Sequence, residues 1–415
     1  MWRDWKETNL AQLAEYINGY AFKPSDWGTR GLPIIRIAQI TGTSDLDNFY
    51  SSPLPEKFKI RYGDFIFSWS GTLAVVEWKK RDGWLNQHLF KVIPSKNLNR
   101  RFFFHIIKNS VEEMTKKAHG STMHHIKRGE LVDFILTIPQ DTEEQEVIAE
   151  VLDTVDEAID ATQDMLTKQE RIKDGLLQDL LTRGVDKNGK LRPPYTKVPE
   201  LYKQSPLGMI PKEWESEKAV QFCLNVTDGT HDSPQPAETG YPLITSKNLK
   251  NGKLDWSNIS YVSEADYKAI IKRSVVEVDD ILFGMIGTIG EPAIISKGEN
   301  EIAPKNVGIF RMNGDKIKSK FLFYYLNSDY INLQIRDVLA GSTQSFVGLG
   351  TLRDFVILDI PNPEIIKIIE KLDTHRQAMQ NTLYELSKLK KLKAGLMQDL
   401  LTGKKRIPLK QEKAA

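Results

Sequence analysis

The sequence predicts an α+β fold: two similar globular domains of mixed α/β character and two long α-helices that form an antiparallel coiled coil, in a pseudo-two-fold internal repeat. Three observations predict it. Residues 152–182 (LDTVDEAIDATQDMLTKQERIKDGLLQDLLT) return as residues 372–402 (LDTHRQAMQNTLYELSKLKKLKAGLMQDLLT), at a constant offset of 220 residues (152 to 372), with no gap and about half of the positions identical. Duplication at a period near half the chain means two copies of one unit, not a short-period solenoid. Both copies place apolar residues at three- and four-residue steps with charges between them, the pattern of a helical seam. The segments ahead of them share a skeleton of short strands, turns and a helix, in the same order.

Residues 1–140 read as the first domain. Leu32-Pro33-Ile34-Ile35-Arg36-Ile37, Asp64-Phe65-Ile66-Phe67-Ser68-Trp69 and the stretches 73–78 and 89–93 are short, apolar and rich in aromatic and branched residues, which marks strands. A helix opens at Arg101-Phe102-Phe103-Phe104 and runs towards Gly120, and a last strand covers 134–138. The first long helix is expected over 141–183, with Thr142 as its cap three residues before Gln145. Its seam is Ile148, Leu152, Val155, Ile159, Leu166, Leu176 and Leu180, interrupted by Thr162 and Gln169. The stretch 184–210 reads as a linker, because five prolines and several turn residues fall from Gly184 to Pro211.

The second domain, 211–362, answers the first piece by piece. Gly31-Leu32-Pro33-Ile34 is matched by Gly240-Tyr241-Pro242-Leu243, and Asp64-Phe65-Ile66-Phe67 by Asp280-Ile281-Leu282-Phe283. Gly71-Thr72 is matched by Gly287-Thr288, Arg101-Phe102-Phe103-Phe104 by Lys320-Phe321-Leu322-Phe323, and Asp133-Phe134 by Asp354-Phe355. The second long helix follows over 363–403, with Ile365, Ile369, Leu372, Met379, Leu386, Leu389, Leu396 and Leu400 as its seam and His375 as an interruption, and a tail covers 404–415. At 1.5 Å per residue each helix is about 60 Å long. Two stripes of that length are most simply buried against each other.

The bulk numbers exclude several classes. Composition is 40% hydrophobic and 27% charged with net charge +2, so any basic surface must be local. One cysteine, Cys223, cannot form an internal disulfide and fits a reducing compartment. The N-terminus lacks the apolar core of a signal peptide, and no uncharged apolar run approaches a membrane span. The expectation is a cytoplasmic protein without membrane contact.

Motifs that imitate catalysis fail on inspection. Gly184-Val185-Asp186-Lys187-Asn188-Gly189-Lys190 has P-loop spacing, but Leu191 stands where Ser or Thr should hold magnesium, and a helix precedes it where a strand should. Arg192-Pro193-Pro194-Tyr195 is similar to the Asn-Pro-Pro-Tyr loop of amino-methyltransferases, with Arg in place of Asn and no strand with a Gly-rich turn upstream. Gly284-Met285-Ile286-Gly287-Thr288-Ile289-Gly290 has the wrong spacing for a dinucleotide loop. His124-His125 has no companions at metal-ligand spacing, and Asp279, Asp280 and Lys297 form a charge cluster of a common kind. No catalytic residue, cofactor site or metal site is expected in this chain.

The layout resembles the specificity subunit of type I restriction–modification systems. The resemblance rests on the domain order, the paired helices and the closing segments Gly175-Leu176-Leu177-Gln178-Asp179-Leu180-Leu181-Thr182 and Gly395-Leu396-Met397-Gln398-Asp399-Leu400-Leu401-Thr402. Further support comes from Gly120-Ser121-Thr122 and Gly341-Ser342-Thr343, from Ile138-Pro139 and Glu144-Gln145 leading into Ile148, and from Leu207-Gly208-Met209-Ile210-Pro211-Lys212-Glu213-Trp214. Glu364-Ile365 departs from Glu144-Gln145 at the start of the second helix. The resemblance implies two target-recognition domains, each reading one half of a split, asymmetric site on double-stranded DNA. It implies helices that set the spacer and dock two methyltransferase subunits, with restriction subunits joined through the methyltransferase. Those partners, not this chain, would carry S-adenosylmethionine, ATP and magnesium.

Base reading requires Arg, Lys, Asn, Gln, Ser or Thr side chains at groove edges, while phosphate contacts set register. Candidates in the first domain are Lys23, Arg36, Gln39, Ser68, Trp69, Ser121, Thr122, His124, His125 and Lys127. In the second they are Thr227, His231, Lys247, Asn248, Thr288, Lys305, Asn306, Ser342, Thr343, Gln344 and Ser345. The competing reading is a coiled-coil adaptor between two proteins that never meets DNA. It explains the helices but gives no reason for two divergent globular copies.

Overall fold

The computed structural model describes residues 4–45, 48–117, 128–340 and 346–407. They form two units, Met1–Asp164 with Tyr384–Ala415, and Met165–Leu383, and both have the same topology. In the first, an antiparallel sheet runs in the order Ala14–Asn18, Leu89–Pro94, Phe65–Ser68, Ala74–Glu77. In the second the order is Asn225–Asp228, Val307–Arg311, Ile281–Gly284, Pro292–Ile294. Each unit also holds a smaller sheet built on a parallel pair, Leu32–Ile35 with Gly83–Leu85 and Tyr241–Ile244 with Ala303–Pro304. A two-stranded ribbon leads into each long helix: Trp5–Asn9 pairs with Ile135–Pro139, and Glu215–Lys218 with Val356–Asp359. The two-copy α+β architecture is as the sequence implies.

The long helices cover Thr142–Thr182 and Asn362–Leu400. The sequence sets them apart from the domains, whereas the contacts give half of each helix to each unit. Apolar burial explains the difference. In the first unit, Ile148 and Leu152 from the head of one helix share a core with Met397, Leu400 and Leu401 from the end of the other, around Phe65, Phe67, Phe90, Phe102 and Phe103. In the second, Ile365 and Leu372 join Leu177, Leu180 and Leu181 around Phe283, Phe310 and Phe321. The helix ends are thus core elements of the domains.

Within each unit the two helices run antiparallel. In the first, Lys393 pairs with Asp156, and Arg406, beyond the helix end, pairs with Glu144. In the second, the His375 Nε2–H donates to the Gln169 backbone carbonyl at 2.8 Å, so the histidine that interrupts the seam is satisfied by the facing helix, while the buried Gln169 Oε1 finds no partner. No residue of the expected seam is fully exposed.

A polar node repeats at the 220-residue offset. Asp153 receives Arg101 through Nε (2.9 Å) and Nη2 (2.6 Å), and His105 Nε2 lies 2.9 Å from it. Its counterpart Asp373 receives Lys320 Nζ (2.6 Å) and Tyr324 Oη (2.6 Å). His105 is wholly buried, with Asp156 and Lys393 as its other charged neighbours. Burial pushes its imidazole below the ordinary 6.5, against the pull of Asp153. The unfolded chain therefore takes up this proton more readily than the folded one, so the contribution is intact above pH 6.5 and is lost as pH falls through the lower folded value. Hydrogen exchange of the first unit should show falling protection on acidification below pH 6.5, with a shallower fall in His105→Gln. An unchanged slope in that variant would acquit the histidine.

Several local expectations need correction. The first long helix is capped by Asp141, whose Oδ1 accepts the Glu143 N–H at 2.9 Å, and Thr142 is already helical. Gln145 faces inward instead of completing a capping box: its Oε1 accepts the Asn99 N–H (2.8 Å) and its Nε2 donates to the Pro139 carbonyl (2.9 Å). The second domain's helix opens at Lys316, capped by Asp315, and breaks after Leu326 before resuming over Asp329–Ala340, where the first unit has one helix, Arg100–Lys117. The stretch 184–210, read as a linker, is ordered. It holds the hairpin Tyr202–Ser205 with Gly208–Pro211, and Tyr202 Oη donates to the Pro193 carbonyl at 2.6 Å. Its P-loop-like fragment is a turn pinned by Asp186, which accepts the N–H groups of Asn188 (2.8 Å) and Lys190 (2.9 Å). Asp280, from the charge cluster with Asp279 and Lys297, is a buried clamp that accepts the Glu277 N–H (2.9 Å), the Met312 N–H (3.3 Å) and Arg311 Nε (3.4 Å).

Candidate nucleic-acid interface

In the second unit a polar groove of about 740 Å³ opens where the short parallel pair, the loop after Ile281–Gly284 and the turn after Tyr241–Ile244 converge. Ser246, Lys247, Asn248, Thr288 and Asn306 line it, with Lys250 and Asn258. Asn306 has φ +53°, and its Oδ1 lies 2.8 Å from His231 Nδ1. The other ring nitrogen, Nε2, is 3.0 Å from Asp228 Oδ2, and Arg273 Nη2 reaches Asp228 Oδ1 at 3.2 Å. Lys305 Nζ donates to Ser233 Oγ at 2.8 Å. The face therefore offers two exposed lysines, of which Lys250 is paired with the groove's Asp255, together with hydroxyls and a clamped amide, a set suited to a polyanion with hydrogen-bonding edges.

The chain matches, over residues 3–171 and 236–388, the family described as type I restriction modification DNA specificity domain. It belongs to that family. It is 26% identical over 407 residues to the type I restriction enzyme EcoBI specificity subunit of Escherichia coli, covering 93% of this chain and 83% of that one. It is 24% identical over 364 residues to the MjaVIII specificity subunit of Methanocaldococcus jannaschii, covering 84% and 80%. Among solved structures, the type I restriction–modification S subunit from M. genitalium aligns with a TM-score of 0.56 at 15% identity over 96% of both chains. At that identity the likeness shows the fold.

Set on the specificity-domain fold, the sequence candidates divide by environment. His231, Lys247, Asn248, Thr288 and Asn306 come together at the groove, and Lys305 adjoins Asn306 in the chain. Asn248 is turned inward: Oδ1 accepts the Thr245 N–H (3.0 Å) and Thr245 Oγ1 (2.9 Å), while Nδ2 donates to the carbonyls of Asp255 (3.4 Å) and Asn258 (3.3 Å). Gln39 is its counterpart, accepting the Arg36 N–H at 3.0 Å and donating to the Asp45 carbonyl at 2.7 Å. Both amides brace turns inside their units. Ser68 is wholly buried with Oγ on the Ser70 carbonyl (3.3 Å), and Thr227 Oγ1 donates to the Asp228 carbonyl (3.4 Å). Lys23 is exposed, the Arg36 guanidinium lies 5.0 Å over the Trp27 ring, and Trp69 packs near His88 and Phe90. Ser121, Thr122, His124, His125, Lys127, Ser342, Thr343, Gln344 and Ser345 lie outside the described residues.

Sequence reasoning missed Asp228, Ser246, Lys250, Asn258 and the first unit's Asn86-Gln87 turn. A signal existed in the matched triplets Asn18-Gly19-Tyr20 and Asp228-Gly229-Thr230. A Cβ on Gly19 would sit 2.2 Å from the Asn86 carbonyl oxygen, and one on Gly229 would sit 2.4 Å from that of Pro304. Only glycine admits so close a backbone approach.

Among the described residues, no helix is long and apolar enough to cross a membrane.

Proposed function

We propose that this chain selects sequence for a type I restriction–modification complex, each unit reading one half of a split, asymmetric site on double-stranded DNA. The long helices set the spacer and dock two methyltransferase subunits, and restriction subunits join through the methyltransferase. The carrying observation is one topology present twice, with side chains that differ where the two copies turn out of the parallel strand, mounted on helix segments kept nearly alike. An adaptor without DNA needs no such divergence.

The test is selection of bound duplexes from a random pool by the chain assembled with its methyltransferase. A split consensus supports the reading; binding without sequence preference would sink it and favour the adaptor. Affinity should also fall steeply with salt, at a log–log slope of about −0.9 per phosphate contact. Lys305→Ala should flatten that slope by about one. An unchanged slope would remove Lys305 from the phosphate contacts.

A further inference from the structure

The turn leaving the parallel strand carries an amide side chain in both units. The Asn86 N–H donates to the Ile35 carbonyl (3.0 Å) and the Lys305 N–H to the Ile244 carbonyl (2.8 Å), so Gln87 stands where Asn306 stands in the second copy. Asn306 lines the groove and holds a left-handed φ of +53°, a conformation asparagine tolerates better than most residues. It is also clamped. His231 Nδ1 lies 2.8 Å from one end of its amide and the ring is itself held by Asp228, which is only 4% exposed and is braced by Arg273. A residue serving only to turn the chain needs no such second layer. With one end of the amide on the imidazole, the other end is left for the groove. Gln87 is half-buried, and its Oε1, enclosed by the protein, finds no hydrogen-bond partner, a loss recovered when the side chain turns outward to meet a donor.

We propose that Gln87 and Asn306 are the paired specificity-determining amides, each reading one base edge in its half-site, with His231 as the positioning residue for Asn306. The proposal rests on the DNA-reading function above. A phosphate contact carries no sequence information and needs no oriented amide. The free end of the Asn306 amide selects the complementary base edge: an NH₂ favours purine N7 or O6 or thymine O4, and a carbonyl favours adenine N6 or cytosine N4. Gln87, with both an acceptor and a donor to place, favours adenine through N6 and N7.

Duplexes would be selected from a random pool by the chain assembled with its methyltransferase, as wild type, Asn306→Gly and Gln87→Ala; glycine keeps the backbone angle at 306. Each variant should lose discrimination at one base pair of one half-site, by roughly 5- to 150-fold, with every other position unchanged. His231→Phe should weaken discrimination at the same position as Asn306→Gly. Melting temperatures check folding, and Asn306→Asp and Gln87→Glu replace any variant that fails; a carboxylate there should shift preference towards cytosine through N4. Wild-type consensus in both variants overturns the proposal, as does an even loss of affinity for all sequences. A wild-type pool with no consensus overturns the DNA-reading function itself.

Discussion

Glu364→Ala should lower the stability of the second unit by roughly 3–5 kcal/mol, the cost of leaving a buried charge without its partner. Glu364 sits in the first turn of the second long helix and accepts from four donors. Arg192 grips it with both Nη atoms, the Nη2 contact at 2.9 Å; Trp214 Nε1 donates at 3.0 Å and the Val185 N–H at 2.8 Å. The side chains are nearly enclosed, at 10% exposure for Glu364 and 13% for Arg192. Gly184, at φ +62°, is packed so tightly that a Cβ would lie 2.1 Å from Glu364 Oε1 and 2.3 Å from Trp214 Cζ2. The other carboxylate within reach, Glu213, is exposed and lies 3.8 Å from Arg192 Nη2, a weak substitute for the enclosed pair.

The first unit supplies an internal control. Its equivalent, Glu144, accepts Arg406 at 2.9 and 2.8 Å and Trp5 Nε1 at 3.4 Å, but Arg406 is 32% exposed. Glu144→Ala should therefore cost less than Glu364→Ala. Replacing Arg192 and Glu364 together by methionine should cost less than Glu364→Ala alone, because no charge is stranded. Because two units need not unfold together, hydrogen exchange resolved by segment is the suitable measurement. A loss of protection below about 1 kcal/mol around Trp214 for Glu364→Ala would mean the node is ornamental.

Adding four residues to the middle of both long helices should change the DNA spacer and leave the half-site bases unchanged, given the function proposed above. Four residues add about 6 Å of helix. Along DNA that is at most about two base pairs at about 3.4 Å each. Each added pair also turns the distal half-site by about 34–36°, given 10–10.5 pairs per turn. DNA or protein must absorb that twist, so affinity falls even where the spacing fits. Selection from a random pool before and after insertion reads the result. Altered half-site bases, or an unaltered spacer in a complex that still binds, would remove the helices as the ruler.

Much of the architecture was legible in the chain alone. The repeat at 220 residues announces two copies, and helix periodicity marks the seam, because an apolar stripe needs no tertiary information to be recognised. Apolar runs bounded by glycine placed the strands at 32–35, 65–68 and 281–284 to within a residue or two. Capping was harder. Thr142 and Asp141 are both good caps, and only the chain's entry through Ile135–Pro139 selects the aspartate.

The site itself separates what sequence determines from what only the tertiary fold decides. Sequence determined that two divergent surfaces ride on one repeated scaffold, because duplication and divergence are written in the residues themselves. It could not tell Asn248, whose amide is wholly used inside the unit, from Asn306, whose amide is clamped at the groove's edge. Both are asparagines in turn-like stretches. Their difference lies in partners from elsewhere in the chain: the Asp255 and Asn258 carbonyls for one, the His231–Asp228 pair for the other. Hydrogen bonds to such distant partners come from strand register and loop closure, which local propensity does not encode, so the direction of each polar side chain was settled only by the packed tertiary structure.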